Sequence, residues 1–197
     1  NKDYYFFFTK HLIFTILAMS IMVIISLIRT EVLIKLVFPA FVISFIFLAI
    51  VPIIGVEAKG AKRWLNLYFF NLQPIEILKP LFILMTVKIL TYKNFQNSHI
   101  KYLLSFILLS CVIILLIDQP DLGQSILLIS SWIATVFVSG VSLIYIGIFL
   151  AIFLILFSSL LFFLPEKFGY IINRLTSFFD PSQGDKFQSS AALDAIK

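Results

Sequence analysis

Residues 122–165 contain no Asp, Glu, Lys or Arg. As a helix rising 1.5 Å per residue, that run would reach roughly 66 Å, about two crossings of a ~30 Å hydrocarbon core. A water-soluble domain has no place for such a stretch. The rest of the chain agrees: 61% of its residues are hydrophobic and 13% charged, against roughly 45–50% and 25% in soluble globular domains. Disorder, which needs low hydrophobicity and high net charge, is excluded as well. The sequence predicts an all-α, multi-pass transmembrane helix bundle.

Six apolar stretches are long enough, or nearly so, to span a bilayer: Leu12–Ile28, Leu36–Ile54, Ile75–Leu90, Tyr102–Ile117, Leu122–Ser139 and Val141–Leu164. Their Ile, Val and Phe content favours strands in water. In lipid the backbone must satisfy itself within each segment, and that favours helix. Together they form a bundle over residues 1–164. Residues 165–197 make a polar tail carrying Phe168, Tyr170, Phe178 and Phe179, suited to the membrane interface. Ser139, Gly140 and Ser142 mark a tight turn between the last two helices. The net charge of +5 is dispersed between apolar runs, so no basic face for nucleic acid can be drawn. Topogenic charge, anionic lipid headgroups or an anionic substrate account for it better. The single cysteine, Cys111, can form no intrachain disulfide and reads as inert packing. Two histidines and no ligand-spaced cluster leave no metal site in view.

Three charged clusters stand at helix ends, where charge is expensive and often functional. In Glu57-Ala58-Lys59-Gly60-Ala61-Lys62-Arg63-Trp64 the bland reading is an interfacial loop with snorkelling lysines and a Trp anchor. The sharper one has Arg63 forking onto phosphate oxygens. In Gln73-Pro74-Ile75-Glu76-Ile77-Leu78-Lys79-Pro80, Pro74 suits the first helical position and Glu76 the third. Glu76 can therefore cap the helix, or pair with Lys79 three residues on. Pro80 should weaken the local ladder. In Asp118-Gln119-Pro120-Asp121-Leu122-Gly123-Gln124, Asp121 can cap a helix opened by Pro120, and Asp118 reads as a solvated helix end.

On these residues the chain resembles the SEDS family of shape, elongation, division and sporulation proteins, typified by FtsW and RodA. Gly60-Ala61-Lys62-Arg63-Trp64-Leu65 is similar to the family's Gly-small-basic/polar-Arg-Trp-Ile. Gln73-Pro74-Ile75-Glu76-Ile77-Leu78-Lys79 resembles its Gln-Pro-Ser-Glu-x-x-Lys, with Ile75 for Ser. Gln119-Pro120-Asp121-Leu122-Gly123 matches its Gln-Pro-Asp-Leu/Phe-Gly. Phe179-Asp180-Pro181, Gly184 and Phe187-Gln188 resemble its Asp-Pro…Gly-x-x-Tyr-Gln. Val56–Gly60 and Tyr4-Tyr5-Phe6-Phe7 lean towards the division branch, FtsW.

The resemblance implies a fold of about ten membrane helices, of which these six would be the second to seventh, with residues 165–197 beginning the large extracytoplasmic loop. The chain then reads as an internal or N-terminal-half fragment. The implied activity is a peptidoglycan glycosyltransferase that polymerises lipid II in the bacterial cytoplasmic membrane, at the division septum. Its implied partner is a class B penicillin-binding protein. No cofactor is evident, though a divalent cation on the pyrophosphate is compatible with the chemistry. The family's proposed base, the Asp of Thr-Asp-Phe, lies beyond Lys197. Arg63, Glu76, Lys79 and Asp121 remain as cavity wall: Arg63 and Lys79 towards pyrophosphate, Glu76 paired with Lys79, and Asp121 orienting the basic groups. Two rival readings are a lipid II flippase or transporter, and a non-catalytic division scaffold.

The family's topology would put residues 1–10, 55–74, 118–121 and 165–197 outside. Residues 29–35, 91–101 and 139–142 would then lie inside. That leaves five Lys and Arg at the inner side (Arg29, Lys35, Lys88, Lys93 and Lys101) and ten outside, against the positive-inside tendency.

Overall fold

The computed structural model describes residues 2–58, 61–67, 70–93 and 98–163. Six helices account for most of them: α1 (Lys2–Leu27), α2 (Thr30–Ile54), α3 (Pro74–Leu90), α4 (Ser98–Asp118), α5 (Leu122–Val138) and α6 (Leu143–Phe163). Each corresponds to one expected stretch. Tyr5–Leu27, Thr30–Ile54 and His99–Asp118 are long and apolar enough to cross a membrane. The 17-residue α3 and α5 reach about 26 Å each, close to the thickness of the hydrocarbon core. The chain is a multi-pass membrane protein. The expected loop start at 165–197, with the Phe179–Gln188 motif, lies outside the described residues.

Between α2 and α3 the stretch expected as a loop carries short strands, while the rest of the described chain is the expected helix bundle. Three short strands in that stretch pair into an antiparallel sheet in the order β1 (Val56–Ala58), β2 (Ala61–Asn66), β3 (Asn71–Leu72). Val56 pairs with Trp64, Glu57 with Lys62, and Leu65 with Leu72. The segment is too polar to enter lipid as a helix, and a meander satisfies most of its backbone groups locally. Leu65 is buried beneath it, and β2 packs on α2 and α3. The sheet therefore sits across one end of the bundle.

The core lies among α2, α3, α4 and α5. Leu48, Leu78, Phe82, Val112, Leu116, Leu128 and Val136 are fully enclosed there. α6 leans on this group through aromatic rings: Phe149 stacks on Phe106 at 4.8 Å and meets Trp132 edge-on at 5.9 Å. The buried indole of Trp132 donates to the Ser105 hydroxyl at 3.3 Å. No residue in the spanning window of α1 is buried; it presents Phe, Ile, Leu and Met on all sides, as a helix surrounded by hydrocarbon does.

Three local expectations are settled by packing. Gly140 closes the α5–α6 turn at φ +83°, a left-handed conformation that suits glycine. α3 runs unbroken through Pro80; the lost ladder donor there is the one that would have reached the Glu76 carbonyl. Cys111 is exposed on the outer side of α4 and is not core packing. The neighbouring Val112 and Ile113 take the inward positions, since adjacent helical residues face different directions.

Candidate functional site

Three segments far apart in sequence meet at the sheet end of the bundle: β2, the first turns of α3, and the corner between α4 and α5. The corner arises because Asp118-Gln119-Pro120 cannot prolong α4, Pro120 lacking the N–H that the helix would need. The Asp121 N–H still donates to the Leu116 carbonyl at 3.0 Å, and the Asp121 carbonyl accepts both the N–H and the hydroxyl of Ser125, at 3.1 and 2.9 Å. One helix ends and the next begins within three residues.

Arg63 crosses from β2 to this corner. Its Nε donates to the Gln119 carbonyl at 3.1 Å, and a terminal guanidinium nitrogen donates to the Pro120 carbonyl. The same Nε lies 3.8 Å from the Asp121 carboxylate, which also accepts from the Gln73 amide at 3.4 Å. Gln119 is itself buried and donates to the Leu48 carbonyl of α2 at 2.9 Å. A planar fork of donors suits two adjacent carbonyls as well as it suits a phosphate. The guanidinium therefore ties the sheet to the corner, and the Gln119 amide ties the corner to α2; together they fix where the adjoining ends of α4 and α5 stand. Asp121 does not cap α5, which has no side-chain cap bond. A nearly buried carboxylate gains more from a cation and an amide than from one backbone N–H.

One turn into α5 and α3 lies a second group. Lys79 Nζ is 2.7 Å from Glu76 Oε2 and donates to Gln124 Oε1 at 2.9 Å. Gln124 Nε2 in turn donates to Glu76 Oε1 at 2.9 Å. The ring closes on itself. Glu76 pairs with Lys79 on one helix face, as the three-residue spacing predicts. Capping is not its role, because α3 also shows no side-chain cap bond. The lysine side chain is 17% exposed and the glutamate 50%, so the ammonium is the sheltered partner and the carboxylate faces outward.

All four sequence-selected residues, Arg63, Glu76, Lys79 and Asp121, thus gather at one end of the bundle. Gln73, Gln119 and Gln124 complete the group. The two Gln-Pro helix starts were the signal for Gln73 and Gln119, and Gln124 stood three residues past Asp121. Asp118 is exposed at the end of α4, as expected. Among the described residues, no group of three or more His, Cys, Asp or Glu side chains comes together.

The cell cycle protein family that spans FtsW, RodA and SpoVE matches residues 1–197. The chain belongs to this family. Its curated relatives include probable peptidoglycan glycosyltransferases FtsW from Aliivibrio salmonicida and Wigglesworthia glossinidia brevipalpis, each 32% identical. The alignments cover 96% and 98% of this chain, and 48% and 50% of those proteins. Among solved structures, a chain from a study of polymerisation and crosslinking by a peptidoglycan synthase complex is 26% identical, with TM-score 0.66 over 80% of this chain and 46% of that one. The Thermus thermophilus rod shape determining protein RodA is 28% identical, with TM-score 0.57 over 66% of this chain and 44% of that one. The chain therefore spans about half the length of the curated relatives it matches.

Proposed function

We propose that a full-length protein built on this chain is a peptidoglycan glycosyltransferase that polymerises lipid II in the bacterial cytoplasmic membrane during division. The observation that carries this reading is the match of the whole chain to the family, with relatives named as FtsW glycosyltransferases. The polar cluster at the sheet end supports it chemically. In the proposed reaction a sugar 4-hydroxyl attacks the anomeric carbon of the growing strand, and undecaprenyl pyrophosphate leaves. Charge then builds on the leaving pyrophosphate, where a fixed cation lowers the barrier.

Lys79 is the residue we assign to that task. Two of its three N–H donors are engaged by Glu76 and Gln124, and the third is available to a phosphate oxygen. Arg63 and Asp121 act one step back, holding the α4–α5 corner that carries Gln124. This departs from the expectation of Arg63 on the pyrophosphate: its fork lies on the carbonyls of the corner. The proposed partner is a class B penicillin-binding protein, and the proposed location is the septum.

The deciding experiment supplies labelled lipid II and the partner to the full-length protein in vesicles. A polymerase yields long glycan. A flippase would move the label across the bilayer without extending it, and a scaffold would do neither while still binding the partner.

A further inference from the structure

We infer that Gln124 is a positioning residue for Lys79, an inference that rests on the glycosyltransferase reading above. A lysine paired with a half-exposed glutamate three residues away on the same helix is an ordinary surface contact, weak and mobile. Gln124 changes this contact. It comes from α5, 45 residues further on, and takes hydrogen bonds of 2.9 Å with both members of the pair. The ammonium can only donate and the carboxylate can only accept. The amide orientation is therefore forced, with Oε1 on Lys79 and Nε2 on Glu76. Each of the three side chains contacts the other two, and the ion pair becomes a fixture between two helices.

The amide also does what neither a second acid nor an apolar side chain could do. As an acceptor it anchors the ammonium without neutralising it. As a donor it occupies the second oxygen of Glu76, so that the carboxylate is not free to wrap around the lysine. Lys79 keeps its charge directed at a ligand, with one N–H donor open. The helix start gives a second sign that the residue is committed elsewhere. Asp121-Leu122-Gly123-Gln124 has the spacing of an N-terminal capping box, yet α5 has no side-chain cap bond. Both box residues reach other elements instead: Asp121 towards Gln73 and Arg63, Gln124 towards α3.

The ring can be rebuilt with its acid and amide exchanged, and that provides the test. Gln124→Glu removes the N–H donor and sets two carboxylates against one lysine; Gln124→Leu removes both hydrogen bonds. Each should lower the rate of glycan polymerisation by the full-length protein with its partner about tenfold, the scale set by coupling between residues in one network. Combining Gln124→Glu with Glu76→Gln restores one cation, one acid and one amide in the same ring. This double variant should recover to within about threefold of wild type. Thermal unfolding of the same four proteins serves as a readout independent of activity. The single variants should melt below wild type and the exchanged pair near it.

Polymer from wild type with an undiminished rate in Gln124→Leu would overturn the inference. So would an exchanged pair that melts like wild type yet polymerises no better than the single variants, because the acid at position 76 would then act in its own right. A melting cycle in which the exchange rescues nothing would show that the ring does not form, and would overturn it too. No glycan from wild type, with the melting cycle intact, would instead sink the glycosyltransferase reading and with it the substrate side of the inference, while the ring itself would stand.

Discussion

Arg63 shows how one side chain can change meaning between sequence and structure. A forked cation at a membrane edge reads as a phosphate ligand, whereas here it holds two carbonyls and faces one nearly buried carboxylate. Arg63→Lys keeps the charge and loses the fork, so at least one of these charge-assisted hydrogen bonds is lost. The expected loss of stability is about 1–3 kcal/mol, measured as a lower midpoint in thermal unfolding of the full-length protein. A different signature is expected at Glu76 and Lys79. Removing either leaves the other partly desolvated and unpaired, so Glu76→Ala and Lys79→Ala should lower polymerase activity non-additively. If the double variant fell by the product of the two single losses, the pair would not act as a unit. Glu76→Gln keeps the shape and removes the charge, so it should lower activity too; near-normal activity would show that the ion pair itself carries no weight.

At the scale of elements, the sheet and the α4–α5 corner occupy one end of the bundle. The opposite end is tied by Lys88 of α3, which donates to the Ile34 carbonyl at the start of α2. The two ends differ in chemistry. Among the described residues, the sheet end gathers the two ion pairs and the glutamine amides that bind them, and the other end carries an exposed lysine contact and a two-residue joint between α1 and α2. An anionic substrate is better served by the first, which agrees with the outward orientation that the family resemblance implies and against a bare count of basic residues. In a full-length protein cleared of its native cysteines, Cys111 included, a single cysteine at Asn66 should react with a membrane-impermeant thiol reagent added to intact cells. A single cysteine at Ser142 should be protected. The reverse pattern would invert the bundle.

Considered whole, the molecule has a packed half and an open half. α2 to α5 enclose a core, α6 leans on it through rings, and α1 buries none of its span. Each helix satisfies its own backbone, so the chain can enter a bilayer as it stands. Catalysis asks for more: a base within hydrogen-bond reach of the attacking hydroxyl, in a site closed to bulk water. Among the described residues, Glu76 and Asp121 are already engaged by cations and amides. Purified 197-residue chain, given lipid II and a matched partner, is therefore expected to make no long glycan, as judged by gel analysis of the labelled product. Polymer from that mixture would place the base within these residues, with Asp121 the first to replace.

The six helices were legible in the sequence because the constraint that makes them is local. A segment in hydrocarbon must close its own hydrogen bonds whatever its neighbours do, so apolar length and uncharged runs were enough to place each one. The order of the charged motifs likewise gave the family. Contacts between side chains obey no such local rule. Arg63 and Gln119 stand 56 residues apart, and Lys79 and Gln124 stand 45 apart. Which carbonyl, acid or amide each meets depends on which helix ends pack together. Local rules offered Asp121 and Glu76 as helix caps, and packing gave them partners on other elements. The sheet of β1, β2 and β3 and the outward Cys111 were decided at the same level. The sequence determined a membrane bundle with charges at its edges; the tertiary structure decided their partners, the Gln73 amide on Asp121 and the Gln124 amide on both Glu76 and Lys79, because only packing brings those helix ends together.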